Sequence, residues 1–98
     1  LQLAREIAIT HHEKWDGSGY PNQLKGETIP IASRIVAIAD VFDALTCERP
    51  YKRAWSEQDA INVLLEESGK HFDPKLVPLF IECLPQIRNI QNQYKDTY

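Results

Sequence analysis

The sequence predicts an all-α fold, a helical bundle of about four helices, on two kinds of observation. Apolar residues recur at spacings of three and four in four separate segments. Between those segments stand residues that start helices (Thr28 and Pro30, Ser56 with Asp59, Asp73-Pro74) and residues that stop them (Gly17 or Gly19, Pro50, Gly69, Pro85).

The first helix carries an apolar stripe of Leu3, Ala4, Ile7 and Ala8. It holds His11 and His12 near its C-terminal end and stops at Gly17 or Gly19. Residues 16–29 follow as an irregular loop, because Asp, Gly, Ser, Pro and Asn disfavour continued helix. The second helix opens with Pro30 at its first position and Thr28 as a cap just before it, and runs to about Leu45. Ile31, Ile35, Ile38, Ala39, Phe42 and Leu45 define its core face, while Val36, Asp40 and Asp43 lie on an offset stripe. Pro50 prevents helix in the loop over 47–55, where Arg49, Lys52 and Arg53 cluster. Ser56 followed by Asp59 resembles a capping box with Asp in place of Glu or Gln. It starts a helix with Ala60, Ile61, Leu64 and Leu65 on its apolar face, ending at Gly69. Asp73 as N-cap and Pro74 at the first position open a last helix carrying Leu76, Val77, Leu79, Phe80, Ile81 and Leu84, which Pro85 kinks or ends. The domain is expected over residues 1–88, with a polar, fraying tail over 89–98.

Ninety-eight residues suffice for one small domain. The composition, 43% hydrophobic and 26% charged, is that of an ordinary globular chain. A net charge of −3 and a pI near 5.5 argue against binding a nucleic-acid polymer through a broad basic surface. An anionic ligand would need local positive charge instead. No apolar run approaches the ~20 residues that span a bilayer, and no signal peptide opens the chain. Leu1 stands already inside a helical pattern, so the sequence reads as a piece of something longer. Cys47 and Cys83 match no zinc spacing and read as buried thiols in a reducing cytoplasm.

The chemistry concentrates in His11-His12-Glu13 and the following Asp16-Gly17-Ser18-Gly19-Tyr20-Pro21. Neutral histidine is the commonest protein metal ligand. Neighbouring helical side chains point about 100° apart, so adjacent histidines suit two neighbouring ions, one ligand to each, better than one shared ion. Asp40, from the second helix, is the natural carboxylate partner. Imidazole and carboxylate without thiolate suit iron, manganese or zinc. Octahedral ions need about six ligands each, so three candidates leave such a centre incomplete. Arg49 offers a planar fork to phosphate and Lys52 a mobile point charge. The alternative is a solvated basic loop partly neutralised by Asp43 and Glu48. Asp43 reads as a salt-bridge anchor for that loop in preference to a metal ligand. Tyr20 either stacks on a base or bonds a phosphate, or else anchors its own loop. Trp15, Trp55 and His71 read as packing or structural residues.

Five motifs in register, His-His-Glu, Asp-Gly-x-Gly-Tyr-Pro, Ile-Ala-Asp-Val-Phe-Asp-Ala-Leu-Thr, Arg-Pro-Tyr-Lys and His-Phe-Asp-Pro, closely resemble the HD-GYP domain over roughly Leu3 to Leu84. The resemblance implies an HD-domain-like helical bundle and a phosphodiesterase that hydrolyses the bacterial second messenger cyclic di-GMP, through pGpG to GMP. It implies two or three divalent ions, iron or manganese, that activate water for attack on phosphorus. On this chain it makes His11, His12 and Asp40 metal ligands and Arg49 and Lys52 the holders of the phosphates. Gly19, Tyr20 and Pro21 become the signature loop near the substrate, with Asp43 supporting the pocket.

The His-Asp doublet of that family, with its further ligands, belongs N-terminal to the first helix and is not in this sequence. The chain therefore resembles the C-terminal half to two-thirds of the domain, and the expectation is an active parent with an incompetent isolated fragment. Implied partners are cyclic di-GMP, an upstream sensor or receiver domain, and self-association through helix faces left open. The expected location is the cytoplasm, in a soluble protein or in the cytoplasmic part of a membrane-bound one. The alternative is a non-catalytic signalling module that binds cyclic di-GMP, or a diguanylate cyclase domain through the Gly-Tyr-Pro loop.

Overall fold

The computed structural model describes residues 1–95, with side chains through Gln93. Its helices are α1 (Gln2–Thr10), α2 (Ile31–Thr46), α3 (Glu57–Glu66), α4 (Leu76–Glu82) and α5 (Leu84–Lys95), with a 3-10 turn at Gly26–Thr28. No strand forms among the described residues, and none of their helices is long and apolar enough to cross a membrane.

The core lies where α2, α3, α4 and the start of α5 meet. Ala37, Ile38 and Phe42 of α2 pack with Ala60 and Leu64 of α3, Phe72 of the connector, Val77 of α4 and Leu84 of α5. Phe42 and Phe80 meet edge to face, ring centroids 5.4 Å apart. Ser56 caps α3 as its spacing predicts, its hydroxyl accepting from the Asp59 N–H at 3.1 Å. Asp73 Oδ1 accepts from the Lys75 N–H at 2.8 Å and so opens the turn that becomes α4.

Several expectations are corrected. α1 ends at Thr10, well before the glycines, with His11 as its C-cap. Of its stripe, Ile7 is half-buried, whereas Leu3 is 60% exposed and Ala4 and Ala8 are also exposed. The helix touches the body near its C-terminal end, where Thr10 and Ser33 hydroxyls meet at 2.5 Å. Ile31 and Ile35 are 57% and 47% exposed. The buried positions in those turns are Ser33 and Ala37, so the Ile face is left uncovered there. Thr28 caps the 3-10 turn, accepting from Lys25 N–H at 3.0 Å, and not α2, whose first carbonyl is that of Pro30. The helix is interrupted at Cys83, two residues before Pro85, which instead sits in the first turn of α5, where its missing N–H costs no bond. Residues 89–95 continue α5, because Leu84 and Ile87 keep that helix against the core. Residues 96–98 of the expected tail lie outside the described residues. Cys83 is exposed and Cys47 half-buried, so the thiols are free but not buried.

Candidate metal and phosphate site

His11 and His12 leave the end of α1 side by side, ring centroids 3.9 Å apart and planes tilted by 42°. His11 Nδ1 lies 2.9 Å from the Ile7 carbonyl oxygen. A carbonyl only accepts, so Nδ1 carries the proton and, in the neutral ring, Nε2 keeps its lone pair. This is how a backbone carbonyl sets the tautomer of a metal-ligating histidine. His12 is exposed and lies under Tyr20, whose ring stacks on it at 4.9 Å with planes 14° apart. Tyr20 thus anchors the loop while 61% of its surface stays open.

Glu13 is 2% exposed, and sequence reasoning gave it no role. Its Oε2 accepts from the Asn22 N–H and its Oε1 from the Leu24 N–H, both at 2.8 Å. The carboxylate therefore ties the stretch after Tyr20-Pro21, where Gln23 takes φ 54°, back to the histidines. Gly19 closes the same knot. A Cβ there would stand 2.4 Å from the His12 carbonyl and 2.5 Å from the Lys14 nitrogen, so only glycine fits. The Tyr20-Pro21 peptide bond is cis. Outside this knot, Trp15 and Asp16 donate backbone N–H groups to the carbonyls of His71 and Lys70. Arg34 sits beneath, bonding Asp73 Oδ2 at 2.7 Å and the Ile29 carbonyl at 2.8 Å, with its guanidinium 6.0 Å from the Trp15 ring centroid. Trp15 is a packing residue, as expected.

Asp40 is exposed on α2, and its carboxylate makes no hydrogen bond or ion pair with the described residues. It borders a groove of about 290 Å³ between α2 and α5, shared with Phe42, Asp43, Phe80, Ile87 and Gln91. Asp43 does not salt-bridge the basic loop as anticipated. Its Oδ1 accepts from Cys47 Sγ at 3.0 Å and from Gln91 Nε2 at 3.4 Å, so it ties α2 to α5. Burial, reinforced by that bond to Asp43, pushes the Cys47 thiol pKa up.

The basic loop caps α2. The last carbonyls of that helix take the Cys47 N–H (Asp43 O, 2.9 Å), the Lys52 ammonium (Ala44 O, 3.0 Å) and the Trp55 N–H (Leu45 O, 2.8 Å). Arg49 and Lys52 exchange both backbone hydrogen bonds around Pro50-Tyr51, a four-residue turn. Lys52 Nζ stands 5.8 Å from the Trp55 ring centroid. Trp55 is 44% exposed, so it is no core residue but a flank of this loop. The Arg49 guanidinium is exposed and makes no hydrogen bond or ion pair with the described residues. Sequence reasoning placed the cations correctly in one loop, but not the carbonyl and the ring that hold Lys52.

The donor types fit a hard or borderline divalent ion: two imidazoles, that of His11 with its tautomer set, and the Asp40 carboxylate, unpaired among the described residues. Their number does not complete a centre. Among the described residues no three His, Cys, Asp or Glu side chains come together as a metal-holding group, so His11, His12 and Asp40 form no three-ligand cluster. Away from these residues, burial and the nearby Lys14 charge push the His71 pKa below its ordinary value. The Ser18 hydroxyl and N–H hold that of Asp16 down.

The family model described as HD domain matches residues 1–76. The chain belongs to the HD-domain family. It is 58% identical over 82 residues to the 3′3′-cGAMP-specific phosphodiesterase 2 of Vibrio cholerae, which covers 84% of this chain and 16% of that protein. It is 50% identical over 96 residues to a cyclic di-GMP phosphodiesterase of the same organism, covering 98% of this chain and 20% of that protein. A crystal structure of a cyclic GMP-AMP specific phosphodiesterase of Vibrio cholerae aligns with TM-score 0.70 and 33% identity, covering 92% of this chain and 22% of that one. The chain spans less than a quarter of the length of each of these relatives.

Proposed function

We propose that this chain is the part of a metal-dependent cyclic di-GMP phosphodiesterase that carries the His-His ligand pair, the Gly-Tyr-Pro loop and the phosphate-holding cations. One observation carries the reading: His11 and His12 stand side by side, with the Ile7 carbonyl fixing the His11 tautomer so that Nε2 keeps its lone pair for a metal ion. The names of the similar phosphodiesterases supply the substrate class, a cyclic dinucleotide.

His11, His12 and Asp40 would hold divalent ions together with ligands from outside these residues. Such ions, when bound, supply Lewis-acid polarisation of the phosphate and activation of water. The remaining work falls to the protein's own groups. Arg49 offers its guanidinium fork to a phosphate of the ligand, with no carboxylate of the described residues paired to it. Lys52 has three N–H groups and spends one on the Ala44 carbonyl, leaving the others for a phosphate. Tyr20 holds the His12 ring plane by stacking and keeps its open face and hydroxyl for the substrate. Glu13 and Gly19 keep that loop in place. Asp43 acts from behind the pocket, through Gln91 and Cys47. Iron or manganese is the proposed metal and the cytoplasm the proposed location, where a sensor or receiver domain would govern the enzyme.

A second substrate, 3′3′-cGAMP, is favoured by the 58% identity to a phosphodiesterase named for it. The test is hydrolysis by the full-length protein, stripped by chelator and then reloaded with iron or manganese, on each nucleotide in turn. Turnover of cyclic di-GMP to pGpG and GMP that vanishes with the chelator and returns with the metal is expected. Preference for 3′3′-cGAMP would move the substrate to the second reading, and chelator-resistant or absent hydrolysis of both would refute the proposal.

A further inference from the structure

We infer that Trp55 is a positioning residue for Lys52: the indole ring and the Ala44 carbonyl together hold the lysine ammonium in place at the C-terminal end of α2, ready for a ligand phosphate. The inference rests on the phosphodiesterase reading above and adds to it a residue outside the motifs that carry the family resemblance.

Four facts support it. The Lys52 ammonium donates to Ala44 O at 3.0 Å and lies 5.8 Å from the Trp55 ring centroid, within cation–π range. The Trp55 backbone N–H donates to Leu45 O at 2.8 Å, one residue beyond that carbonyl, so the backbone that carries the ring is tied to the same helix end. The negative end of the α2 dipole lies at that point and favours a cation there. Lys52 is also held by both backbone bonds to Arg49, whose guanidinium makes no hydrogen bond or ion pair with the described residues, so the turn carries one tethered cation and one untethered cation.

Lysine is a compact charge on a flexible four-carbon stem, and binding a phosphate ordinarily restricts that stem. Here much of the restriction is met before a ligand arrives. With one N–H on the carbonyl and one face on the ring, the ammonium still has a donor for phosphate. Trp55 does not touch the substrate in this arrangement. It acts only through Lys52.

A positioning role predicts a loss in ligand binding and none in chemistry. In the full-length, metal-loaded protein, Trp55→Leu should raise KM for cyclic di-GMP about three- to tenfold while kcat stays within about twofold, and Trp55→Phe, which keeps a ring face, should recover most of the loss. In a Lys52→Ala background, Trp55→Leu should have no further effect. A readout independent of turnover is the proton shift of the Lys52 ε-methylene, which the ring should move upfield in the wild type and which Trp55→Leu should return to the value of a free lysine. It is read on the wild type, so it decides the matter even if the leucine variant does not fold. A KM indifferent to Trp55→Leu, additivity with Lys52→Ala, or a free-lysine shift in the wild type would each overturn the inference. Absence of any wild-type turnover would sink the phosphodiesterase reading and this inference with it, whereas turnover with an indifferent Trp55→Leu would sink this inference alone.

Discussion

At position 13 a carboxylate lies buried between two backbone N–H groups nine and eleven residues further along the chain. A buried charge is costly unless hydrogen-bonded, and two donors to a carboxylate are among the stronger protein bonds. Glu13→Gln keeps the shape but turns one acceptor into a donor that faces another donor. It should lower stability by about 1.5–3 kcal/mol in urea unfolding, with the Tyr20 and His12 signals moving first. An unchanged unfolding midpoint would show that Glu13 is no clamp. Nothing in the sequence distinguishes this glutamate from a ligand or a surface charge, because its partners are backbone groups brought near only by the fold. Gly19 was legible as a loop glycine, but the reason for it was not. It is room for the backbone of residues 12–14, and not a left-handed φ, that excludes a side chain.

At the scale of elements, the helices were legible where start signals were local. Ser56 with Asp59 acts within four residues and caps α3, whereas Asp73 and Pro74 stand in the turn ahead of α4, which begins at Leu76 behind Lys75. Helix ends and faces were less legible because they depend on distant groups. The end of α2 has no glycine; its carbonyls are taken by Cys47, Lys52 and Trp55, which no periodicity reveals. Ile31, Ile35 and Leu3 keep the spacing of a core face, yet no described element covers them. The contact between the 15–16 loop and the 70–71 connector also escaped notice, and it carries a pH dependence. His71 is half-buried there, with a pKa below the ordinary 6.5 through burial and then the Lys14 charge. Between the folded and unfolded pKa values the unfolded chain binds more protons. The neutral ring's contribution is therefore present above 6.5 and lost as pH falls through 6.5 toward the folded value. Unfolding midpoints should drop across that window in the wild type and change less in His71→Gln. Parallel profiles for the two proteins would contradict this.

On the scale of the whole molecule, a small core of α2 to α5 carries the candidate residues on three separate elements. The histidine pair and its knotted loop stand near the end of α1, Asp40 and Asp43 along α2, and the two cations in the loop that caps it. The candidate histidines, carboxylates and cations are residue identities at a recognisable spacing, and so could be named from the sequence. Three candidates are few for octahedral ions, and among the described residues no three-ligand group forms. Distances between the elements were not legible, because they depend on packing. The central claim is that the His-His pair holds the metal of a cyclic dinucleotide phosphodiesterase. The most direct test is the rate of cyclic di-GMP hydrolysis by the full-length protein loaded with iron or manganese, wild type against a folded His12→Ala. Loss of even an outer-shell partner of a metal ligand costs about 10- to 100-fold, so removal of a ligand should lower the rate at least about a hundredfold. A His12→Ala protein that retains its metal and hydrolyses the nucleotide at the wild-type rate would contradict the account.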